Sequence, residues 1–182
     1  MPLLSTERLV TGRILAFDRD TVSLPDGQVQ TFEMLRHPGA AAVLPFLDDP
    51  AEENPRVILI RQFRHAADGW IWEIPAGRRD AGEAPEVTAR RELQEETGYR
   101  CTELRPVTRI LTAPGFTDEL IHLYVASGLV PGPHAREHDE FMELHPLPFR
   151  TVLSMAADGT IIDAKTLVTI LAVHAERASG AR

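Results

Sequence analysis

The chain has 182 residues, of which 43% are hydrophobic and 25% charged, and its formal net charge is −8. These proportions are typical of a soluble globular protein with one substantial core, with or without a small appendage. The acidic balance argues against a general nucleic-acid surface, which needs basic patches facing phosphates. The single cysteine, Cys101, excludes an internal disulfide framework and fits a reducing compartment.

Hydrophobic runs in the sequence are short. None approaches the length of a membrane span, and no basic region followed by an apolar stretch begins the chain. We therefore expect a cytoplasmic protein without a membrane partner. Negative charge does not exclude small phosphorylated ligands, because a bound cation reverses the local field.

The first part of the chain predicts a small antiparallel β-sheet. Residues 8–17 and 21–36 carry alternating apolar residues, and Pro25-Asp26-Gly27 supply a turn between two strands. Such a hairpin buries little surface by itself and needs a partner, either the rest of the chain or a second subunit. We assign residues 1–38 to this region and expect residues 39–182 to form the main domain.

Two apolar segments, residues 40–47 and 57–60, predict buried strands, and the second runs into Arg61 and Arg64. Arginines at the end of a core strand are costly to bury without anions, so we expect both to face a cleft or solvent. A guanidinium group suits bidentate phosphate binding, and surface salt bridges are the alternative.

Residues 70–76 predict a further short strand. Its Glu73 is a carboxylate among apolar residues, and it either binds ligand hydroxyls or pairs with an arginine. We interpret Trp70 and Trp72 as packing residues rather than as platforms for a base.

A helix is predicted over residues 85–97. Pro85 suits its first turn, where no backbone N–H is needed, and Gly98 suits the left-handed residue just beyond its end. At about 100° per residue, the carboxylates of Glu92, Glu95 and Glu96 converge on one face. Convergent oxygens suit a hard divalent cation, with Mg²⁺ as the natural candidate and Mn²⁺ as its substitute. By itself, the acidic run is more often a solvated face.

The spacing around this helix is more specific than its charge. Gly77 is followed after five residues by Glu83, after seven more by Arg91-Glu92-Leu93, and then by Glu95-Glu96 and Gly98-Tyr99. This stretch resembles the signature of the Nudix hydrolase family at all nine specified positions. The resemblance implies an α/β fold, an α/β/α sandwich with a mixed sheet, and hydrolysis of a nucleoside diphosphate linked to another group.

The resemblance also implies a metal site. Glu92 and Glu96 are its expected ligands, and Glu95 lies beside them as a further ligand and a catalytic candidate. We extend the proposed cluster to the backbone carbonyl of Ala76 and to Glu140, which together would hold two or three ions. Arg91 is expected to fix the glutamates, while Arg64 is expected to bind the diphosphate, with Arg61 as the second candidate.

Two features resemble the ADP-ribose pyrophosphatase branch of the family. One is the Glu-Ile-Pro-Ala-Gly sequence of residues 73–77, and the other is Pro114, sixteen residues beyond Gly98. The resemblance implies hydrolysis of ADP-ribose to AMP and ribose 5-phosphate, and a homodimer formed with help from the N-terminal sheet. Another nucleoside diphosphate sugar such as GDP-mannose, or nucleotide sensing without turnover, is the alternative. The expected substrate contacts are Arg61, Arg64, Glu73, Gly115, Phe116 and Glu119.

The loop of residues 131–140 is dense in His and acidic groups. In ADP-ribose pyrophosphatases this loop contributes glutamates, one acting on the attacking water and one on a metal. Glu140 matches one of them best and Glu137 is the next candidate, while His138 stands where a second carboxylate is expected. Glu119 competes for the role of base. Two helices, predicted over residues 148–157 and 161–177, complete the chain.

Overall fold

The computed structural model describes residues 1–132 and 142–180. They divide into two compact units. The first joins Met1–Gly39 to Leu111–Leu120, and the second joins Ala40–Ile110 to the described residues from Ile121 onward. The predicted boundary after residue 38 lies beside this division, but the segment Leu111–Leu120, which the sequence prediction assigned to the main domain, groups with the N-terminal residues.

The first unit is built on a three-stranded antiparallel sheet in the order β1-β2-β3. Its strands are β1 (Leu3–Thr11), β2 (Ala16–Ser23) and β3 (Val29–Arg36). The prediction of one strand over residues 8–17 is wrong, because the chain turns back at Gly12, whose N–H donates to the carbonyl of Leu15 at 2.8 Å. A Cβ atom at Gly12 would lie 2.9 Å from that oxygen, so the turn depends on glycine.

An arginine joins two buried acidic groups of this sheet to the segment Leu111–Leu120. Asp18 and Asp20 are 2% and 8% exposed, and Arg36 donates to both. Arg8 also donates to Asp18, and it is the first cause, followed by Arg36, of the lowered pKa of that carboxyl group. Arg36 then reaches Asp118, with an Nη1–Oδ2 distance of 3.3 Å. One arginine therefore links the sheet to the loop that carries the predicted substrate contacts.

The second unit contains two sheets. One is mixed, in the order β7-β4-β9-β8, with β4 parallel to β9 and antiparallel to β7. The other is antiparallel, in the order β10-β5-β6. The strands are β4 (Ala40–Pro45), β5 (Arg56–Arg64), β6 (Gly69–Glu73), β7 (Ala76–Arg78), β8 (Tyr99–Leu111), β9 (Leu120–Pro131) and β10 (Met142–Pro148). The single strand predicted over residues 70–76 is thus two short strands in different sheets.

Helices cover the strands from two sides. They are α1 (Pro85–Thr97), α2 (Phe149–Ala157) and α3 (Ala164–Ser179), and a 3₁₀ turn lies at His65–Ala67. Ala41 and Val43 of β4 pack in one core with Ala89 and Leu93 of α1. Their neighbours in β4, Ala40, Ala42 and Leu44, belong to a larger core that contains Val152 of α2 and Ile170 and Val173 of α3. This arrangement confirms the predicted α/β/α sandwich with a mixed sheet.

The bounds of α1 agree with the prediction. Pro85 is its first residue, and Gly98 follows its end with a φ of 74° and donates its N–H to the carbonyl of Gln94 at 2.9 Å. Helix α3 starts later than predicted, because Asp163 caps it by accepting from the N–H of Thr166. Within the described residues, no helix combines the length and the apolar character needed to cross a membrane.

Candidate metal-binding active site

Arg91 of α1 binds three carboxylates, one from the turn before the helix and two from the helix itself. Its Nε and Nη2 atoms donate to the two carboxylate oxygens of Glu83 at 3.1 and 3.0 Å. Its Nη1 atom donates to Oε1 of Glu92 at 2.6 Å and to Oε2 of Glu95 at 2.9 Å. Oxygens of Glu92 and Glu95 therefore lie within hydrogen-bond distance of one nitrogen, which places them side by side.

Glu83 is the anchor of this network. Its hydrogen bonds with Arg91 are the main cause that lowers its pKa to about 2, with smaller contributions from the backbone N–H of Asp80 and the hydroxyl of Thr88. In return, Glu83 raises the pKa of Arg91. Both groups are charged at any physiological pH, so the ion pair provides a fixed support for the other glutamates.

Two glutamates of α1 lie against the strand β7. Glu96 is 2% exposed, and its Oε2 atom accepts from the backbone N–H of Ala76 at 2.9 Å. A Cβ atom at Gly77 would lie only 2.0 Å from Oε1 of Glu92. Because only glycine leaves this space, the backbone at residue 77 can approach the carboxylate closely. The backbone of residues 76–77 therefore packs closely against the carboxylates of Glu92 and Glu96 on α1.

The donor atoms fit a hard divalent cation. Carboxylate oxygens of Glu92, Glu95 and Glu96 are the oxygen ligands that Mg²⁺ and Mn²⁺ prefer, and Ala76 lies against one of them. Among the described residues, however, no three acidic, His or Cys side chains are already arranged around a common metal position. Completing a site therefore requires side-chain adjustment or further oxygen ligands, such as the backbone carbonyl of Ala76.

A second charged cluster lies at the end of β6. Of the two roles predicted for Glu73, the structure contains the ion pair: Arg64 donates from Nε and Nη2 to its two oxygens at 2.8 and 2.7 Å. Lys165 adds a third hydrogen bond at 2.7 Å. Burial would raise the pKa of Glu73, but Arg64 and Lys165 outweigh it and the pKa is lowered.

Lys165 was missed by the sequence interpretation. It lies in the first turn of α3, whereas a helix starting at residue 161 places it one turn further along. Asp163 followed by Thr166 has the pattern of a helix N-cap, which is the signal that locates this turn correctly.

Arg61 differs from Arg64 in its surroundings. It is exposed, and its guanidinium carbon lies 5.8 Å from the centre of the Trp72 ring. Trp72 packs against the larger core, as predicted for a packing residue. Trp70 is 42% exposed and contacts Phe63 edge-on, so it contributes less to the interior.

Other predicted site residues lie outside the second unit or outside the described residues. The loop candidates of the first unit are Gly115, Phe116 and Glu119. Phe116 exposes 58% of its surface, and its carbonyl accepts from the N–H of Leu35 at 2.7 Å. Glu119 accepts from the hydroxyl of Thr112 at 2.9 Å. Glu137, His138 and Glu140 lie outside the described residues.

A wide cavity of the second unit is separate from these residues. It has a volume of about 870 Å³, and its lining includes Phe46, Arg105, Val173, Glu176 and Arg177. None of the described residues predicted for catalysis, metal or substrate lines it. The cluster of glutamates around Arg91 therefore identifies the candidate site better than the size of a cavity does.

Comparison with known proteins also supports an active site built on residues 77–99. A family model described as the NUDIX domain matches residues 36–168. A methanol dehydrogenase activator from Bacillus methanolicus is 40% identical over 169 residues, which are 92% of this chain and 89% of the relative. An ADP-ribose pyrophosphatase from Bacillus subtilis is 37% identical with the same coverage of both chains. Proteins named GDP-mannose pyrophosphatase match over shorter stretches, between 63% and 68% of this chain.

One solved structure extends the likeness to the fold. It is described as an ADP compounds hydrolase and matches with a TM-score of 0.83, covering 100% of this chain and 96% of its own. The sequences are 20% identical, so this likeness concerns the fold alone.

Proposed function

The chain belongs to the NUDIX family, and on that basis we propose that it hydrolyses the diphosphate bond of ADP-ribose, giving AMP and ribose 5-phosphate. The observation that carries the proposal is the Arg91 network, which holds Glu83, Glu92 and Glu95 together beside the buried Glu96. Relatives named for ADP-ribose hydrolysis cover 92% and 94% of this chain, which supports ADP-ribose over GDP-mannose.

We propose that Glu92 and Glu96 hold Mg²⁺, with Mn²⁺ as a substitute, together with Glu95, the carbonyl of Ala76 and Glu140. When bound, such an ion neutralises phosphate oxygens and lowers the pKa of a coordinated water. The chain's own contribution is to keep the oxygen ligands in place. Arg91 does so from one side through Nη1, and the N–H of Ala76 does so from the other.

Arg64 is the proposed diphosphate-binding residue. Its Nε and Nη2 atoms donate to Glu73, and we propose that Nη1, the third nitrogen of the guanidinium group, donates to phosphate oxygens. Its side chain is 40% exposed, so a ligand can reach it. Arg61 is the second candidate, and Gly115, Phe116 and Glu119 remain predicted substrate contacts.

A glutamate is proposed to take a proton from the attacking water or to orient it. Glu140 is the first candidate, followed by Glu137 and Glu95, and Glu119 is the alternative. Substituting each by glutamine and comparing the pH dependence of turnover identifies the base, because loss of the base removes the acidic limb of the profile.

We also propose a homodimer that uses the N-terminal sheet. Leu3, Val10 and Val29 are each more than half exposed on its strands, at 58%, 58% and 62%. Exposed apolar side chains on one sheet support an interface. Sedimentation of the full chain and of a Val10→Glu variant tests this proposal: the variant is expected to be monomeric. A cytoplasmic location and the absence of nucleic-acid partners remain our expectations.

The decisive experiment is a substrate panel. The purified protein is incubated with ADP-ribose, GDP-mannose, other nucleotide sugars and nucleoside triphosphates, with and without Mg²⁺. Preferred release of AMP from ADP-ribose supports the proposal, and preference for GDP-mannose replaces it. Binding without hydrolysis of any compound favours a nucleotide sensor.

A second candidate function comes from the Bacillus methanolicus relative, which is named as an activator of methanol dehydrogenase and is 40% identical. The panel is therefore accompanied by an assay of a methanol dehydrogenase with and without this protein. Stimulation that disappears in Glu96→Gln links any such activation to the same active site.

A further inference from the structure

The chain contains one lysine, Lys165, and its side chain is only 11% exposed. Its Nζ atom donates to Oε2 of Glu73 at 2.7 Å and to Oδ1 of Asp163 at 3.0 Å. We infer that Lys165 is a positioning residue, which orients Glu73 and, through Glu73, the diphosphate-binding Arg64. The inference rests on the proposed function, in which Arg64 contacts the substrate.

The hydrogen bonds at Glu73 connect the lysine to the arginine directly. Oε2 of Glu73 accepts from Lys165 and from Nη2 of Arg64, both at 2.7 Å, while Oε1 accepts from Nε of Arg64 at 2.8 Å. Glu73 is 2% exposed, so water does not compete for these bonds. Because a guanidinium fork follows the plane of the carboxylate that it binds, fixing Glu73 also fixes the direction of Arg64.

The direction of Arg64 matters because a predicted metal ligand is nearby. Hydrogen bonding to Glu73 is the main cause of the raised pKa of Arg64, and the charges of Glu96 and Asp163 add to it. The geometry agrees, because Glu73, the partner of Arg64, lies three residues before Ala76, whose N–H binds Glu96. If the guanidinium group of Arg64 rotated, its Nη1 atom would no longer point at a diphosphate bound beside the carboxylate of Glu96.

The first turn of α3 gives Lys165 a rigid base. The hydroxyl of Thr166 donates to Oδ2 of Asp163 at 2.6 Å and accepts from the N–H of Ile74 at 2.9 Å. Ile74 directly follows Glu73, and Ala76, two residues later, binds Glu96. The same helical turn is thus fastened to the chain segment that serves both the phosphate-binding and the metal-binding parts of the site.

A double-mutant cycle separates positioning from simple charge neutralisation. KM and kcat for ADP-ribose are measured for Lys165→Met, Arg64→Met and the double variant. We expect Lys165→Met to raise KM at least about fivefold with a smaller change in kcat, and to add nothing when Arg64 is already methionine. The control is Arg105→Met, which removes an exposed ion pair with Glu176 of α3 and should leave KM unchanged.

Equal effects of Lys165→Met in the presence and absence of Arg64, or a lower melting temperature with unchanged KM, overturn the inference. If Lys165→Met does not fold, Lys165→Arg keeps the charge but replaces a compact ammonium by a planar fork. We then expect a raised KM at an unchanged melting temperature, and an unchanged KM overturns the positioning role.

The inference also has a test that does not need turnover. Calorimetry with inorganic pyrophosphate and Mg²⁺ on the same variants should give weaker binding for Lys165→Met, with no further loss in the double variant. A wild-type protein that hydrolyses nothing but follows this pattern contradicts the proposed reaction alone. Equal pyrophosphate affinity in wild type and Lys165→Met overturns the positioning role and leaves the proposed reaction, which the substrate panel decides, standing.

Discussion

Arg91 and Glu83 form a bidentate ion pair, with Nε–Oε1 and Nη2–Oε2 distances of 3.1 and 3.0 Å. The third nitrogen of the same guanidinium group binds Glu92 and Glu95. Glu83 is therefore not itself a candidate metal ligand. By fixing Arg91, it determines the positions of Glu92 and Glu95, which are candidate ligands.

The first prediction concerns Glu83 and pH. Its pKa falls from 4.5 to about 2 on folding, mainly through Arg91, so its stabilising contribution is complete above pH 4.5 and is lost as the pH falls toward 2. Glu83→Gln should lower the free energy of unfolding near neutral pH by about 1.5–3 kcal/mol, the usual range for a hydrogen bond to a charged group. Urea unfolding at a series of pH values measures the difference from wild type.

That difference should shrink between pH 4.5 and 2. Glu86→Gln, in the exposed first turn of the same helix, is the matched control and should change stability much less. A difference between Glu83→Gln and wild type that stays constant across this pH range would contradict the assigned ion pair.

The second prediction concerns Glu96. Glu96→Gln keeps an oxygen that can accept from the N–H of Ala76, so the fold should remain intact. Loss of the negative charge should lower turnover at least about 100-fold, the upper end of the effect of removing outer partners of a metal. Steady-state kinetics and circular dichroism measure the two effects. An active variant would rule out the metal assignment.

Gly77 provides a third, steric prediction. The methyl group of Gly77→Ala would lie 2.0 Å from Oε1 of Glu92, so the carboxylate must move away from its bond with Arg91. We expect a marked loss of activity but a destabilisation of only about 1 kcal/mol, the usual net contribution of one hydrogen bond, because the atoms in the way are the flexible end of the Glu92 side chain. In the control Gly69→Ala, the nearest atom lies at 3.9 Å, and activity should persist. Equal behaviour of the two variants would contradict the close approach.

The fourth prediction tests metal binding without catalysis. Mg²⁺ should raise the melting temperature of the wild-type protein, since a ligand at 100 times its Kd stabilises the folded state by about 2.7 kcal/mol. Glu96→Gln should lose most of the shift, while Glu86→Gln keeps it. An equal shift in Glu96→Gln would place the ion elsewhere.

The fifth prediction concerns the first unit. Arg36→Gln removes the link between buried Asp18 and Asp20 and the loop residue Asp118. Amide hydrogen exchange of residues 111–120 should therefore become faster, because local opening costs less. Arg19→Gln is the control, since its pairs with Glu7 and Glu33 are exposed. Unchanged exchange in Arg36→Gln would show that the loop is held by other contacts.

Features with local causes were predictable from the sequence. The bounds of α1 follow from proline at its first position and glycine beyond its end, and both effects act within one turn. The spacing of the acidic residues likewise predicts Glu92, Glu95 and Glu96 on one face, beside the stripe of Ala89 and Leu93, and the structure buries two of the three, Glu92 and Glu96.

Features with long-range causes were not predictable in the same way. The turn at Gly12 lacks the usual Asn-Gly or Pro-Gly signal, so the strand predicted over residues 8–17 runs through a turn that separates β1 from β2. The partner of Glu73 on α3 is Lys165, which lies 92 residues further along the chain. Hydrophobic periodicity and helix capping depend on residues that are close in sequence. Neither predicts that the start of α3 packs against the buried carboxylate of Glu73.

The packing of the central strand β4 limits where insertions and deletions can occur in this protein. Ala40, Ala42 and Leu44 fill one core, whereas Ala41 and Val43 fill the other, so both faces are closed. Inserting or deleting a single residue here would exchange the two sets and deliver Leu44 to the space shaped for small side chains above α1. Length variation between relatives should therefore be confined to the connections on either side of β4, while the strand itself keeps a fixed count of residues.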